Sequence, residues 1–128
     1  MASAYKHFES SVQDGVLVLT IKDTHLHGDQ LADQLRSEMI DAVDQAGLNK
    51  VVLDFRNVEY LSSVAFRPLL SMRRKVEEVK GRVVLCNLAA LVTDIFRTLR
   101  LISSSRSYPA TFEVVPDVPA ALTTLKDK

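Results

Sequence analysis

Three groups of side chains in this sequence could do chemistry. His25 and His27, two residues apart and flanked by Asp23 and Asp29, have the donor types of a transition-metal site. Histidines at i and i+2 share a face only in extended chain, however, and no third histidine or cysteine lies nearby in sequence. A solvated loop is the better reading. Cys86, the single cysteine, stands in the apolar run 83–86 and reads as a small core residue rather than a nucleophile. The third group is the pair Ser62-Ser63, which opens an amphipathic segment after an apolar run. A serine there can be simply an N-cap, its oxygen accepting from an orphan amide. The same position suits a phosphate, whose roughly −1.5 to −2 charges lie well against a helix N-terminus.

Other chemistries lack their residues. The four glycines, at 15, 28, 47 and 81, are scattered, so neither G-x-G-x-x-G nor a Walker loop exists. No serine sits in G-x-S-x-G, and His7 is isolated near the N-terminus. The basic residues Arg67, Arg73, Arg74, Lys75, Lys80 and Arg82 are interrupted by Glu77 and Glu78 and lack interleaved aromatics. They read as a solvated helix face. Sixteen basic side chains balance sixteen acidic ones, which removes the charge signature of a nucleic-acid or anionic-membrane binder. No cofactor or metal is expected.

The elements that must position these groups follow from the apolar pattern. At 128 residues, 47% hydrophobic and 25% charged, the chain has globular composition and the length of one domain, expected to span 1–128. A single cysteine excludes an internal disulfide. No apolar run reaches the ~18 residues of a spanning helix, and residues 1–8 lack a signal-peptide core, so a cytoplasmic protein is expected.

A strand over 5–13, the turn Asp14-Gly15 and an apolar strand over 16–21 predict a hairpin. After a polar loop over 22–29, the stripe Leu31, Leu35, Met39, Ala42, Ala46, widened by Ile40 and Val43, predicts a helix over 30–46. Asp29 is its expected N-cap and Gly47 its C-cap. A buried strand over 51–55 precedes a helix that Ser62 or Ser63 caps and that runs to about 79. Ala65, Leu69, Met72, Val76 and Val79 should face inward. Gly81 ends it. A strand over 83–86, an amphipathic helix with Leu88, Leu91, Val92, Ile95, Phe96 and Leu99, and a polar loop over 103–109 follow. The chain closes on a strand over 111–115 and a helix capped by Asp117, with Pro119 in its first turn. The fold class is α/β: a mixed sheet with an N-terminal hairpin and about four helices.

Against that frame, Leu61-Ser62-Ser63-Val64-Ala65-Phe66-Arg67 resembles the strand–turn–helix signature of the STAS domain, the sulphate transporter and anti-sigma-factor antagonist family. The signature reads Asp-Ser-Ser-Gly-Leu-Gly, or in a variant Ile-Ser-Ser-Ala-Gly-Leu-Arg. Val51-Val52-Leu53-Asp54-Phe55 is similar to the family's preceding strand, and Gly81 to Leu88 to its following glycine, strand and helix start. By the resemblance, Ser63 matches the phospho-acceptor, Ser62 stands at the aspartate position, Ala65 at the glycine and Phe66 at the leucine. Pro68 replaces an aliphatic residue and is expected to remove one early helical hydrogen bond. The family's glycine–acidic loop after the second strand has no counterpart in 22–29.

The resemblance implies a bacterial anti-sigma-factor antagonist rather than a catalyst. Its partner would be an anti-sigma factor with serine-kinase activity, bound through Ser62, Ser63, Val64 and Arg67 and released by phosphorylation of Ser63. A non-phosphorylated STAS scaffold, as subunit of a signalling complex or a lipid transporter, is the alternative. An enzyme using the His25–His27 loop is a third reading. No direct nucleic-acid contact and no membrane insertion are expected, and no pattern sets an oligomeric state.

Overall fold

The computed structural model describes residues 5–98 and 112–126. Strands β1 (Phe8–Gln13) and β2 (Val16–Ile21) form the hairpin, paired antiparallel from Phe8↔Ile21 to Gln13↔Val16. Asp14 and Gly15 both take positive φ, 54° and 75°, as a two-residue turn matched to strand twist demands. Beyond the hairpin come β3 (His25–Leu26), α1 (Asp29–Ala46), β4 (Lys50–Asp54) and β5 (Tyr60–Leu61). A 3-10 turn (Ser63–Ala65) leads into α2 (Phe66–Glu78), followed by β6 (Arg82–Cys86) and α3 (Ala90–Thr98). β7 (Glu113–Val115) and α4 (Val118–Lys126) complete the described chain. The main sheet has the order β1-β2-β4-β6-β7, with β2, β4, β6 and β7 mutually parallel. It is the α/β mixed sheet with four helices that the sequence predicts.

The central strands are apolar through their middles, Val16–Leu19, Val51–Leu53 and Val83–Leu85, because both faces of the sheet are covered. Leu17, Leu19 and Ile21, with Val51, Leu53, Val83 and Leu85, pack into one core with Leu35 and Met39 of α1, Leu69, Met72 and Val76 of α2, and Val92 and Phe96 of α3. The alternating residues Val16, Val18, Val52, Val84 and Cys86 meet Val118, Ala121 and Leu125 of α4 on the other face. Gly81 is required at the α2–β6 turn, because a Cβ there would overlap the Asn49 carbonyl oxygen and the Val76 side chain. That oxygen accepts from Arg82 N–H at 2.9 Å, where the β4–β6 register begins.

Several expectations are corrected. Gly28, at φ 91°, is the N-cap of α1 without a side-chain bond, and Asp29 is the first helical residue. Neither Ser62 nor Ser63 caps α2 through its side chain; the intervening 3-10 turn supplies the entry, with Phe66 N–H donating to the Ser63 and Val64 carbonyls. Pro68 therefore falls in the first turn of α2, where amides have no partner within the helix, and α2 itself loses no bond. Val79 lies past the end of α2 and is 58% exposed, and Leu91 in α3 is 53% exposed. Both were expected inside. Leu99 and the loop 103–109 lie outside the described residues. The Asp117 cap is as expected: its Oδ1 accepts from Ala120 N–H at 2.9 Å.

His7 ties the start of β1 to α1. Only 5% exposed, its ring meets the Asp23 carboxylate through Nδ1 and the Gln34 amide oxygen through Nε2, both at 3.0 Å. Burial lowers its pKa, but the bonds to Gln34 and Asp23 and the charges of Asp23 and Glu38 outweigh it, leaving the pKa above the usual 6.5. The proton thus binds the folded state more tightly. This contribution is fully present below pH 6.5 and is lost as pH rises through the higher folded-state value. The urea midpoint is expected to fall as pH rises above 6.5, and His7→Gln should flatten that slope. A slope unchanged by His7→Gln would place the titration elsewhere.

Candidate functional site

The serine turn is positioned by two strands too short to be read from periodicity. β3 and β5 pair in parallel, His25↔Tyr60 and Leu26↔Leu61, apart from the main sheet. Glu59 N–H donates to the Thr24 carbonyl at 2.7 Å, and Ser62 N–H donates to the Leu26 carbonyl at 2.8 Å. Residues 59–62 are thus fastened along the loop that follows β2. The chain then folds back at once, with Ala65 N–H donating to the Ser62 carbonyl at 3.0 Å.

This local geometry separates the two serines. Ser62 is extended (φ −92°, ψ 171°) and half-buried, and its Oγ is shielded and has no hydrogen-bond partner. Ser63, first in the 3-10 turn, is exposed. Val64 is half-buried, while Ala65 and Phe66 are buried and anchor the turn. Arg67 is exposed four residues after Ser63. It also reaches α1, where its guanidinium donates to Asp29 Oδ1 at 3.0 Å. Both side chains of that pair face water, 65% and 81% exposed, so it holds weakly and is open to exchange. Of the expected site residues, then, Ser63 and Arg67 stand at the surface, Val64 partly so, and the Ser62 hydroxyl points away from solvent.

Behind the turn lies a device the strand pattern conceals. Asp54 ends β4 fully buried, yet its carboxylate is well supplied with donors. It accepts from Arg56 N–H at 3.0 Å, Arg56 Nε at 2.8 Å and Asn87 Nδ2 at 2.9 Å. Nearby, Phe55 N–H donates to the Cys86 carbonyl at 3.0 Å, and Asn57 Nδ2 to the Ile21 carbonyl at 2.9 Å. These bonds lock the segment after β4 across the ends of β2 and β6, and so fix where β5 and the serines emerge. A charge within the apolar run Val51-Val52-Leu53-Asp54-Phe55 was the signal available in sequence.

Of the other candidate residues, His25 lies in β3, the strand that holds the segment leading into the turn. His25 is exposed and touches Thr24 Oγ1 at 3.0 Å and the Tyr60 ring. Among the described residues, no three His, Cys, Asp or Glu side chains are grouped to hold a metal. The Cys86 thiol is fully buried and is pushed up to about 12, first by burial and then by the Asp54 charge, which disfavours the thiolate. The basic residues are mostly spent in ion pairs: Arg73 with Glu77, Lys75 with Asp44, Arg82 with Glu113. Among the described residues, no helix is long and apolar enough to cross a membrane.

A serine turn entering a helix beside a mixed sheet with an N-terminal hairpin defines a STAS fold. A family model described as the STAS domain matches residues 7–117, and the chain belongs to that family. BtrV of Bordetella bronchiseptica, a protein named as an anti-sigma factor antagonist, is 37% identical over 65 residues, 51% of this chain and 55% of that one. The chain thus spans about half the length of the curated relative it matches. The fold is shared with an anti-sigma factor antagonist from Mycobacterium paratuberculosis, at TM-score 0.77 and 20% identity over 99% of this chain and 100% of the other. It is shared also with the phosphorylated form of SpoIIAA, a Bacillus cell fate determinant, at TM-score 0.56 and 20% identity over 72% and 82%.

Proposed function

We propose that this protein is an anti-sigma-factor antagonist acting as one domain in the cytoplasm, which binds an anti-sigma factor with serine-kinase activity and is released when Ser63 is phosphorylated. The observation that carries this reading is Ser63 itself: an exposed hydroxyl on a turn fixed from behind, next to a neighbour whose hydroxyl is shielded. The names of BtrV and the M. paratuberculosis protein support the partner class, and the phosphorylated form of SpoIIAA supports the modification.

The energetics favour a switch in binding rather than in folding. A phosphate at the entry to α2 meets the helix dipole and the Arg67 guanidinium, a favourable setting by about 0.3–1 kcal/mol near the surface. A partner seated on an uncharged turn must instead desolvate a near-dianion, which costs several kcal/mol unless it supplies a cation. Ser63→Asp is expected to hold the melting temperature within a few degrees while weakening partner binding at least about tenfold. Calorimetric titration with the anti-sigma kinase checks it. Phosphate from ATP should enter the wild type and not Ser63→Ala. Equal affinities for wild type and Ser63→Asp, with no phosphate incorporated, would sink the switch and leave the scaffold role.

A further inference from the structure

Between α1 and α2 runs a groove of about 400 Å³ that the serine turn does not use. Its α2 wall is Arg67, Leu70, Ser71 and Arg74, an i, i+3, i+4, i+7 stripe on one helix face. Its α1 wall includes Asp33 and Arg36. Arg36 Nε donates to Ser71 Oγ at 3.3 Å, which fixes that guanidinium across the groove. Arg56, Arg73 and Arg82 each have a carboxylate partner. Arg36 and Arg74 have no ion pair among the described residues, and Arg67 has only the exposed Asp29. Three guanidiniums against two carboxylates, Asp33 in the groove and Asp29 on Arg67, leave this strip one positive charge in excess on a chain of zero formal charge. Leu70, 36% exposed, puts an apolar contact at its centre.

We infer that this groove receives an acidic segment of the protein partner, carboxylates pairing with Arg36, Arg67 and Arg74 around an apolar contact on Leu70. Guanidinium forks match carboxylates in a bidentate manner, and arginines ringed about an apolar centre are the usual anchors of such a surface. The inference rests on the proposed docking at Ser63 and explains how a phosphate there would act at a distance. Arg67 lies one helical turn from Ser63 and borders the groove, so it is shared. A phosphate on Ser63 draws Arg67 from the partner's carboxylates and sets like charge at the groove's mouth.

The test titrates capped hexaglutamate into the isotope-labelled chain and follows backbone amide shifts. Capped hexalysine and inorganic pyrophosphate are the comparison probes. Shifts with hexaglutamate should cluster at Arg36, Arg67, Ser71 and Arg74, with no binding of hexalysine. Affinity should drop several-fold between about 20 and about 200 mM salt. Arg36→Gln and Arg74→Gln, both exposed positions, should each weaken binding at least about fivefold at unchanged melting temperature, and Ser63→Asp at least about threefold. Shifts scattered over the surface, or affinity indifferent to both arginine variants, would overturn the proposal. Pyrophosphate binding there while hexaglutamate fails would make the groove a small-anion site instead. Unchanged affinity in Ser63→Asp would remove the shared role of Arg67. Failure of kinase labelling at Ser63 with the groove result intact would bring down the phosphoswitch alone.

Discussion

Phe96→Ala is expected to cost about 3–5 kcal/mol of folding stability. The ring is fully buried and meets three others near right angles: Phe66 at 4.9 Å, Phe55 at 5.9 Å and Phe112 at 6.1 Å between centroids. Edge-to-face pairs add about 0.5–1.5 kcal/mol each to the area they bury, so truncation removes more than one side chain's transfer energy. Phe96 shares the anchoring of α3 with Val92, which is also fully buried, and with Ile95, which packs half-buried against the same core. Phe66 is the first residue of α2, directly past the serine turn, so the cavity would open beneath the site. Urea denaturation of wild type and variant measures the difference. A loss under about 1 kcal/mol would mean that the four rings do not form the rigid cluster described.

What could be read from residue order alone follows the length of each pattern. Long patterns carry their own structure: the apolar run at Val16–Ile21, the stripe Leu35-Met39-Ala42 and the Asp14-Gly15 turn all appear where their spacing puts them. β3 and β5 have two residues each and no period to detect; they exist because the segments after β2 and β4 leave the sheet side by side. Ser62 and Ser63 are chemically identical, and only the extended backbone at Ser62 against the 3-10 start at Ser63 decides which hydroxyl meets water. Asp29 was expected as a cap by residue type, yet Gly28 takes a φ of 91° that suits glycine and leaves Asp29 free to reach Arg67. The arginine groove needs two helices far apart in sequence, and no linear pattern holds both of its walls.

Leu69→Ala is expected to destabilise the fold by about 2–5 kcal/mol, whereas Leu70→Ala should change it by no more than about 1 kcal/mol. The two residues are adjacent and of one type, so the contrast reads the rotation of α2 directly. Successive residues on a helix turn by about 100°. Leu69 therefore joins Ala65, Met72 and Val76, all without exposed surface, against the sheet. Leu70 joins Arg67, Ser71 and Arg74 on the groove face. Truncating Leu69 leaves a hole among close-packed neighbours that relax only in part. Truncating Leu70 removes surface that was already partly in water and leaves no cavity. The losses should then separate by assay: Leu69→Ala in the urea midpoint, Leu70→Ala in partner affinity at full stability. A change under about 0.5 kcal/mol for Leu69→Ala would rotate α2 away from the face assigned here, and with it the surface offered to a partner.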